Sequence, residues 1–261
     1  MLLNHKINCS SYGELKPNSI YNDLNLNHSD IFIYQIYLPD YFDIVDALIS
    51  LLNFEEITRV NRYYHETDKN RFIICRSILK YLLSKHTRLD IQDIEIDYQA
   101  NKKPHLSSHP STFFNISHSE NYAFIAIANR PIGIDIEYIN KNFNFTPLLQ
   151  DIFSDIEISF IKNSQDKRQS FYSLWTRKEA FVKALGKGID DDFLKIPSLD
   201  GLHHLNTSDM ARNKNWNIHG FEITDHYIGA LAYEETPSLA TSFSVISLSN
   251  ELSDLIELLR M

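Results

Sequence analysis

The sequence predicts an α+β protein in which each of two halves contributes strands and one long helix. Residues 31–38 are a run of Ile, Phe, Tyr and Leu around a single Gln, a strand signature, and residues 68–84 carry a helical apolar stripe. From Phe113 onward the pattern begins afresh, with further strands and a second long helix around Trp175. The boundary is expected within 105–113, which gives an N-terminal subdomain of residues 1–112 and a C-terminal one of residues 113–261.

Each element has a local reason. The strand at 31–38 is rich in β-branched and aromatic side chains and stops at Pro39-Asp40, a turn pair. A helical region begins around Phe42. Within 68–84, Phe72, Cys75, Leu79 and Leu82 share one stripe, so Lys69, Arg76 and Lys80 are expected as a basic rim partly open to solvent. Residues 91–98 again have strand character, and Asn101-Lys-Lys-Pro104 is a basic connector. In the second half, 122–128 and 132–139 read as strands joined through Asn129-Arg-Pro131, compatible with an antiparallel pair. Ser154 and Glu157 have the spacing of a capping box and open a helix. The Trp175 helix ends near Gly186 and Gly188, where a missing side chain permits a left-handed cap or close approach to a ligand. Residues 201–220 are polar and loop-like, and 221–224, 227–233 and 242–248 return as strands.

Composition bounds the function. With 261 residues and 43% hydrophobic composition the chain can bury a substantial core, and 16 Phe with 14 Tyr argue against disorder. A formal charge of -9 gives no overall basic footprint for nucleic acid. An anionic partner has to meet a local patch, which Arg59, Arg62, Lys69, Arg71 and Arg76 supply. Cys9 and Cys75 are too few and too separated for a disulfide scaffold or a cysteine metal site, and they fit a reducing compartment. No apolar run reaches membrane-spanning length and the amino terminus lacks a signal core, so a cytoplasmic protein without membrane contact is expected.

The chemistry concentrates in two segments. In Phe171–Ile189, Trp175, Glu179 and Lys183 follow one another at i,i+4 steps, which lines an aromatic, a carboxylate and an ammonium along one helix face. In Gly133-Ile-Asp-Ile-Glu137 a strand projects Asp135 and Glu137 from one face while Ile134 and Ile136 enter the core. Asp135, Glu137 and Glu179 are hard oxygen ligands of the type magnesium takes, and Lys183 suits an adjacent phosphate. The plainer alternatives are an acidic strand edge and a surface Glu179–Lys183 pair, the latter worth only about 0.2–0.5 kcal/mol.

Taken together, Lys103-Pro104, Asn115-Ile-Ser-His-Ser119, Gly133–Glu137 and Trp175–Lys183 resemble the 4'-phosphopantetheinyl transferase superfamily, in its long Sfp-type form. The resemblance implies a pseudo-twofold monomer of two similar α/β subdomains with coenzyme A in the cleft. It implies Mg2+-dependent transfer of 4'-phosphopantetheine from coenzyme A to a serine of an acyl, peptidyl or aryl carrier protein, with release of 3',5'-ADP. Carriers of nonribosomal peptide, polyketide or siderophore synthesis are the associated class.

By the same resemblance Asp135, Glu137 and Glu179 hold the metal, Asp135 and Lys183 face the pyrophosphate, and Lys103 with Pro104 contacts it from the opposite edge. His118 and Ser117 belong to the 3'-phosphate and adenosine end, with Arg71 beside them, and Trp175 braces the groove. Glu157 stands at the family-like distance to deprotonate the carrier serine, with Glu179 as the alternative base and capping as the competing role of Glu157. Arg177 departs from the family pattern, where an apolar residue is frequent, and is expected to alter the groove or its packing. Arg59, Arg62 and Lys69 are the expected docking rim for an acidic carrier. The stretch through Asp30 and residues 201–220 carry little of the resemblance. A nonenzymatic coenzyme-A-binding regulator and a different magnesium phosphotransferase are the competing classes, and the latter lacks a Gly-x-x-x-x-Gly-Lys-Ser/Thr loop.

Overall fold

The computed structural model describes residues 5–17, 19–20, 31–99, 101–188, 192–205, 214–236, 241–249 and 255, 257 and 259. In chain order the elements are β1 (His5–Glu14), β2 (Ser19–Ile20), β3 (Ile31–Tyr37), α1 (Val45–Leu48), α2 (Phe54–Val60), α3 (Glu66–Thr87), β4 (Ile96–Tyr98) and β5 (Pro104–Leu106). They continue as β6 (Phe113–Ser119), β7 (Tyr122–Ala128), β8 (Ile132–Tyr138), α4 (Leu149–Ile152), α5 (Asp155–Asn163), α6 (Lys167–Leu185), β9 (Gly201–Leu205), β10 (Trp216–Thr224), β11 (Tyr227–Glu234) and β12 (Phe243–Leu248).

Two mixed five-stranded sheets carry the fold, in the orders β8-β11-β10-β1-β9 and β2-β12-β3-β7-β6, with β4 and β5 forming a separate ribbon. The strand β3 shows why the layers stack as they do. Ile31 and Ile33 enter a core shared with Phe124, Ile134, Ile136 and Leu231, which draws on both sheets. Phe32, Tyr34 and Ile36 on the opposite face pack with Ile74, Ile78 and Leu82 of α3. A strand covered on both faces reads as a near-continuous apolar run, as residues 31–36 do with Gln35 the one interruption. On the far side of the first sheet, Phe181 and Ala184 of α6 pack with Ile7, Ile218 and Ala230. The order of layers is therefore α3, sheet, sheet, α6, and the two halves are similar in build, as an α+β pseudo-twofold arrangement requires.

Several local expectations change. β7 and β8 are both strands but do not pair: β7 lies between β3 and β6, and β8 pairs with β11 in the other sheet. The turn through Asn129–Pro131 is therefore a crossing between sheets. Strand pairing also crosses the 112/113 position, since residues 113–128 join the sheet of β3 and residues 5–14 join the sheet of β10. Residues 201–205 are strand β9 and Trp216 already begins β10, while 206–213 lie outside the described residues.

The basic rim expected on α3 is partly internal. Arg76 is 7% exposed and Lys80 2%, both drawn inward by the carboxylate of Glu56, which also closes the capping box of α2 with Asn53. The apolar stripe correctly located the buried face, and an acidic residue on a neighbouring helix widened it.

Candidate functional site

The site exists because α6 lies unusually close to β8. A Cβ on Gly133 would sit 2.1 Å from the Ala180 carbonyl oxygen and 2.3 Å from the Ala184 nitrogen, so only glycine lets the helix backbone rest on the strand. Residues 133, 135 and 137 share that face of β8. The approach thus delivers Lys183 to Asp135, at 2.6 Å, and the Trp175 indole to Glu137 Oε1, at 3.3 Å. The i,i+4 series on the helix and the i,i+2 series on the strand meet as the sequence pattern requires.

A second edge completes the floor. β6 and β8 are outer strands of different sheets, and three side chains of β6 splint them. Asn115 Oδ1, Ser117 Oγ and Ser119 Oγ accept the backbone N–H groups of Ile134, Ile136 and Tyr138, at 2.8, 3.3 and 3.0 Å. The same hydroxyls donate to the carboxylates, Ser117 to Asp135 Oδ1 at 2.9 Å and Ser119 to Glu137 Oε2 at 3.2 Å. Sequence reasoning had Ser117 as a ligand contact and did not anticipate the splint. Its signal is the two-residue spacing of Asn115, Ser117 and Ser119, which puts three acceptors on one strand face.

Electrostatically the cluster is unfinished. Asp135 is 3% exposed, its Oδ1 is taken by Lys183 and Ser117, and its Oδ2 is buried with no partner. Burial raises its carboxyl, opposed by Lys183 and Ser117. Burial and then the charge of Asp135 raise Glu137, and burial followed by Asp135 pushes Glu179 up to about 7. Three carboxylates facing one lysine leave surplus negative charge and an empty acceptor, the donor set a hard divalent cation satisfies. Among the described residues no group of three or more His, Cys, Asp or Glu is drawn in tightly enough to hold a metal as it stands.

Beside this floor a cleft of about 440 Å³ opens between α3 and β6, lined by Arg71, His118, Pro104 and Cys75 among others. Arg71 pairs with Asp68 at 3.1 Å. Desolvation in the cleft, reinforced by the Arg71 and Lys183 charges, pushes the His118 imidazole down to about 4, so it is neutral at pH 7. Burial likewise pushes the Cys75 thiol up to about 12, which makes it inert packing.

Three expected residues stand elsewhere. Lys103 donates to the carbonyls of Ala184 at 2.8 Å and Ile132 at 3.3 Å, closing the C-terminal end of α6, and burial lowers its ammonium to about 8. Gly186, at φ 70°, makes room for it, since a Cβ there would meet the Lys103 side chain at 2.8 Å.

Glu157 is not part of the acidic cluster. It is 3% exposed and pairs with Lys178 at 3.0 Å. Ser154 donates to its Oε2 through N–H and hydroxyl, at 2.9 and 3.0 Å, and Ser198 to its Oε1, at 2.9 and 2.5 Å. No acceptor position remains for a substrate proton, and of its two expected roles it performs the capping one.

Arg177 does not face the groove. It is 2% exposed on the sheet side of α6, donating to the Ser198 carbonyl at 2.5 Å, Ser11 Oγ at 2.8 Å and Asp200 at 2.7 Å, over the bare Cα of Gly220.

The chain can be placed beside known proteins. Residues 131–234 match the family model described as the 4'-phosphopantetheinyl transferase superfamily. Residues 40–130 match the model for the N-terminal part of 4'-phosphopantetheinyl transferase. The two matches meet at the crossing from β7 to β8. Among curated relatives, the 4'-phosphopantetheinyl transferase HetI of Nostoc sp. is 31% identical over 173 residues, 64% of this chain and 73% of the relative. A putative 4'-phosphopantetheinyl transferase of Synechocystis sp. is 33% identical over 191 residues, 70% and 78% of the two chains. The 4'-phosphopantetheinyl transferase Sfp of Bacillus subtilis is 32% identical over 146 residues, 55% and 64%. No helix among the described residues is long and apolar enough to cross a membrane.

Proposed function

Because the chain belongs to the 4'-phosphopantetheinyl transferase superfamily, in its Sfp-type branch, and is a 4'-phosphopantetheinyl transferase, we propose that it takes the phosphopantetheine group from coenzyme A and places it on a carrier-protein serine, in a Mg2+-dependent reaction that releases 3',5'-ADP. The observation that carries this reading is the buried, unpartnered Oδ2 of Asp135 beside Glu137, Glu179 and Lys183. A scaffold that only bound a ligand has no use for a carboxylate desolvated and left half satisfied.

In this reading Asp135, Glu137 and Glu179 would hold the magnesium ion, which when bound supplies charge neutralisation at the pyrophosphate. The remaining work belongs to side chains of the protein. Lys183, 28% exposed at its side chain while donating to Asp135 and to Ser117 Oγ, is free to turn its third N–H toward a phosphate oxygen and to stabilise charge developing on the departing 3',5'-ADP. Neutral His118 and cationic Arg71 receive the terminal 3'-phosphate and adenosine end along the cleft that Pro104 also lines. Ser117 and Ser119 hold the carboxylates in register, and Trp175 steadies Glu137. Lys103 acts at one remove, fixing the end of α6 two residues from Lys183.

Glu179 is the base of choice, since it stands with Asp135 and Lys183 in the open cluster while Glu157 has no free acceptor. The serine oxygen forms a bond to the phosphorus carrying pantetheine, the bond from that phosphorus to 3',5'-ADP breaks, and the serine proton passes to Glu179. Residues 1–112 then contribute the basic cleft and residues 113–261 the carboxylates of one monomeric, cytoplasmic enzyme. Arg62 and Lys69 remain the rim for an acidic helical carrier from nonribosomal peptide, polyketide or siderophore synthesis.

Incubation with coenzyme A and a panel of acyl, peptidyl and aryl carriers, read by intact mass, tests the proposal. Addition of one phosphopantetheine to a carrier, dependent on Mg2+ and abolished by a chelator, is expected. A folded protein that binds coenzyme A yet modifies no carrier in the panel overturns it.

A further inference from the structure

A second cavity, of about 430 Å³, lies at the start of β6, the opposite end of that strand from His118. Strand β5, Pro131 and the C-terminal end of α6 close it off, and among the described residues Pro104 alone lines both this cavity and the cleft that holds Arg71 and His118. Leu106, Phe113, Pro131 and Leu185 give it apolar walls, and its volume is in the range that small-molecule sites occupy. Nothing in the transfer reaction uses it.

Two of the residues that line it carry a buried polar atom with no partner, and the two atoms are of opposite kind. Trp216 is 3% exposed, its ring packs edge-on against Phe181 at 5.4 Å, and its Nε1–H, which can only donate, meets no acceptor. His105 Nδ1 is the other. The single hydroxyl proton of Ser107 goes to Asp97 Oδ2, a carboxylate oxygen that can only accept, so Ser107 Oγ accepts from His105 Nε2–H at 3.0 Å. That fixes the tautomer. In the neutral ring Nδ1 is then a bare acceptor, and it has no donor.

Charge narrows the choice of ligand. The ionic residues lining the cavity are Lys103, Lys187, Lys214 and Glu234, and Glu234 is taken by Lys214 at 2.6 Å. Lys103 donates to the Ala184 and Ile132 carbonyls, which are neutral, so its charge is not cancelled there. Positive charge is in surplus beside an orphan donor, an orphan acceptor and apolar walls. We propose that this cavity is a separate binding site for a small apolar carboxylate that carries a hydroxyl next to the acid group. The carboxylate accepts from Trp216 Nε1–H and offsets the lysines, the hydroxyl donates to His105 Nδ1, and the apolar body covers the Leu106, Phe113 and Leu185 walls. The site does not depend on the coenzyme A reading.

The test is calorimetric titration of phenyllactate, and of 3-phenylpropionate which lacks the hydroxyl, into the wild type, Trp216→Phe and His105→Leu, each with and without saturating 3',5'-ADP. The wild type is expected to prefer phenyllactate by about fivefold, the effect of one hydrogen bond. His105→Leu should abolish that preference, bringing phenyllactate down to the level of 3-phenylpropionate. Trp216→Phe, which keeps the ring and removes the N–H, should weaken both acids by about fivefold or more and leave the preference in place. Neither result should change with 3',5'-ADP present. A wild type that binds neither acid at millimolar concentration overturns the proposal and leaves the two orphan atoms to water. Unchanged affinities in both variants overturn it too, and displacement of the acids by 3',5'-ADP overturns a separate site by placing them in the cleft of Arg71 and His118. Should Trp216→Phe not fold, His105→Leu decides alone, since it changes only the β4–β5 ribbon outside both large sheets.

Discussion

Two lysine–carboxylate pairs hang from the same helix, five residues apart and about 140° around its axis. Lys178 meets Glu157 at 3.0 Å and Lys183 meets Asp135 at 2.6 Å. The first pair is sealed, with side chains 0% and 4% exposed and every acceptor of Glu157 engaged. The second has a lysine 28% exposed and a carboxylate oxygen with no partner. Burial alone does not separate them, since Asp135 and Glu157 are each 3% exposed. Saturation does. A buried ion pair whose lone pairs are all used is a brace, and one left open is a place for something else to bind.

The largest expected effects come from deleting one carboxylate of each pair. Glu157→Ala leaves the buried Lys178 charge facing the Phe193 and Leu194 carbonyls and the Phe153 and Phe193 rings without its carboxylate, and should cost about 3–5 kcal/mol of stability, read by chemical denaturation. Asp135→Ala leaves a lysine that can reach water, so the protein should stay folded while transfer falls by roughly a hundredfold or more. Reversed results, with Glu157→Ala folded and inactive, would make Glu157 a reacting group and break the contrast.

Gly133→Ala tests the geometry that creates the open pair. The added methyl has no flexible neighbour to displace, only helix backbone at 2.1 Å, so α6 must lift from β8. Transfer should drop by about tenfold or more with a stability loss of roughly 1–3 kcal/mol. A variant with wild-type kinetics would show that Lys183 and Asp135 meet without this close approach.

How much of this was legible follows from distance along the chain. The strand 31–37, the long helices, the Ser154–Glu157 start and the Gly186 stop depend on side chains within a few residues, and each stands where the pattern put it. So does the meeting of Lys183 with Asp135 on one helix face and one strand face. What failed to show was partner choice. Nothing local tells β8 to prefer β11, 90 residues on, over β7 next door. Arg76 and Lys80 look like rim until Glu56 is known to face them, and Glu157 and Glu179 look alike until Ser198 and Lys178 are seen to fill the first. Of the two expected effects of Arg177, on the groove or on its packing, the structure shows the packing one, through Ser11 near the start of the sequence and Asp200 beyond the end of α6.

The open cluster should also titrate. The Glu179 carboxyl is pushed up from 4.5 to about 7 by burial and by Asp135. A folded-state value above the unfolded one contributes stability that is full below about 4.5 and lost as pH rises through about 7. In metal-free buffer the melting temperature of the wild type, relative to Glu179→Gln, should therefore fall across that window. Mg2+ should lessen the fall. Taking the difference cancels His118 and His219, which are pushed down to about 4 in both proteins and slope the other way. A difference that is flat with pH would mean that Glu179 ionises freely and that the three carboxylates do not share a field.

The smallest effects belong to the serines that hold the carboxylates, and they sharpen the contrast best because each removes a single hydroxyl. Ser198 is 0% exposed and its hydroxyl reaches Glu157 Oε1 at 2.5 Å, beside a backbone N–H that also reaches it. Ser198→Ala should cost about 1 kcal/mol and leave transfer unchanged, since the brace keeps its other donors. Ser119 accepts from the Tyr138 N–H at 3.0 Å and donates to Glu137 Oε2 at 3.2 Å, so Ser119→Ala should cost a similar amount of stability. It should also lower transfer by about two- to fivefold, because Glu137 then keeps only Trp175 to orient it. Paired melts and kinetics on the two alanine variants decide the matter. Equal kinetics in both would reduce Ser119 to a splint between sheets, and a kinetic defect in Ser198→Ala would show that the sealed pair communicates with the open one through α6.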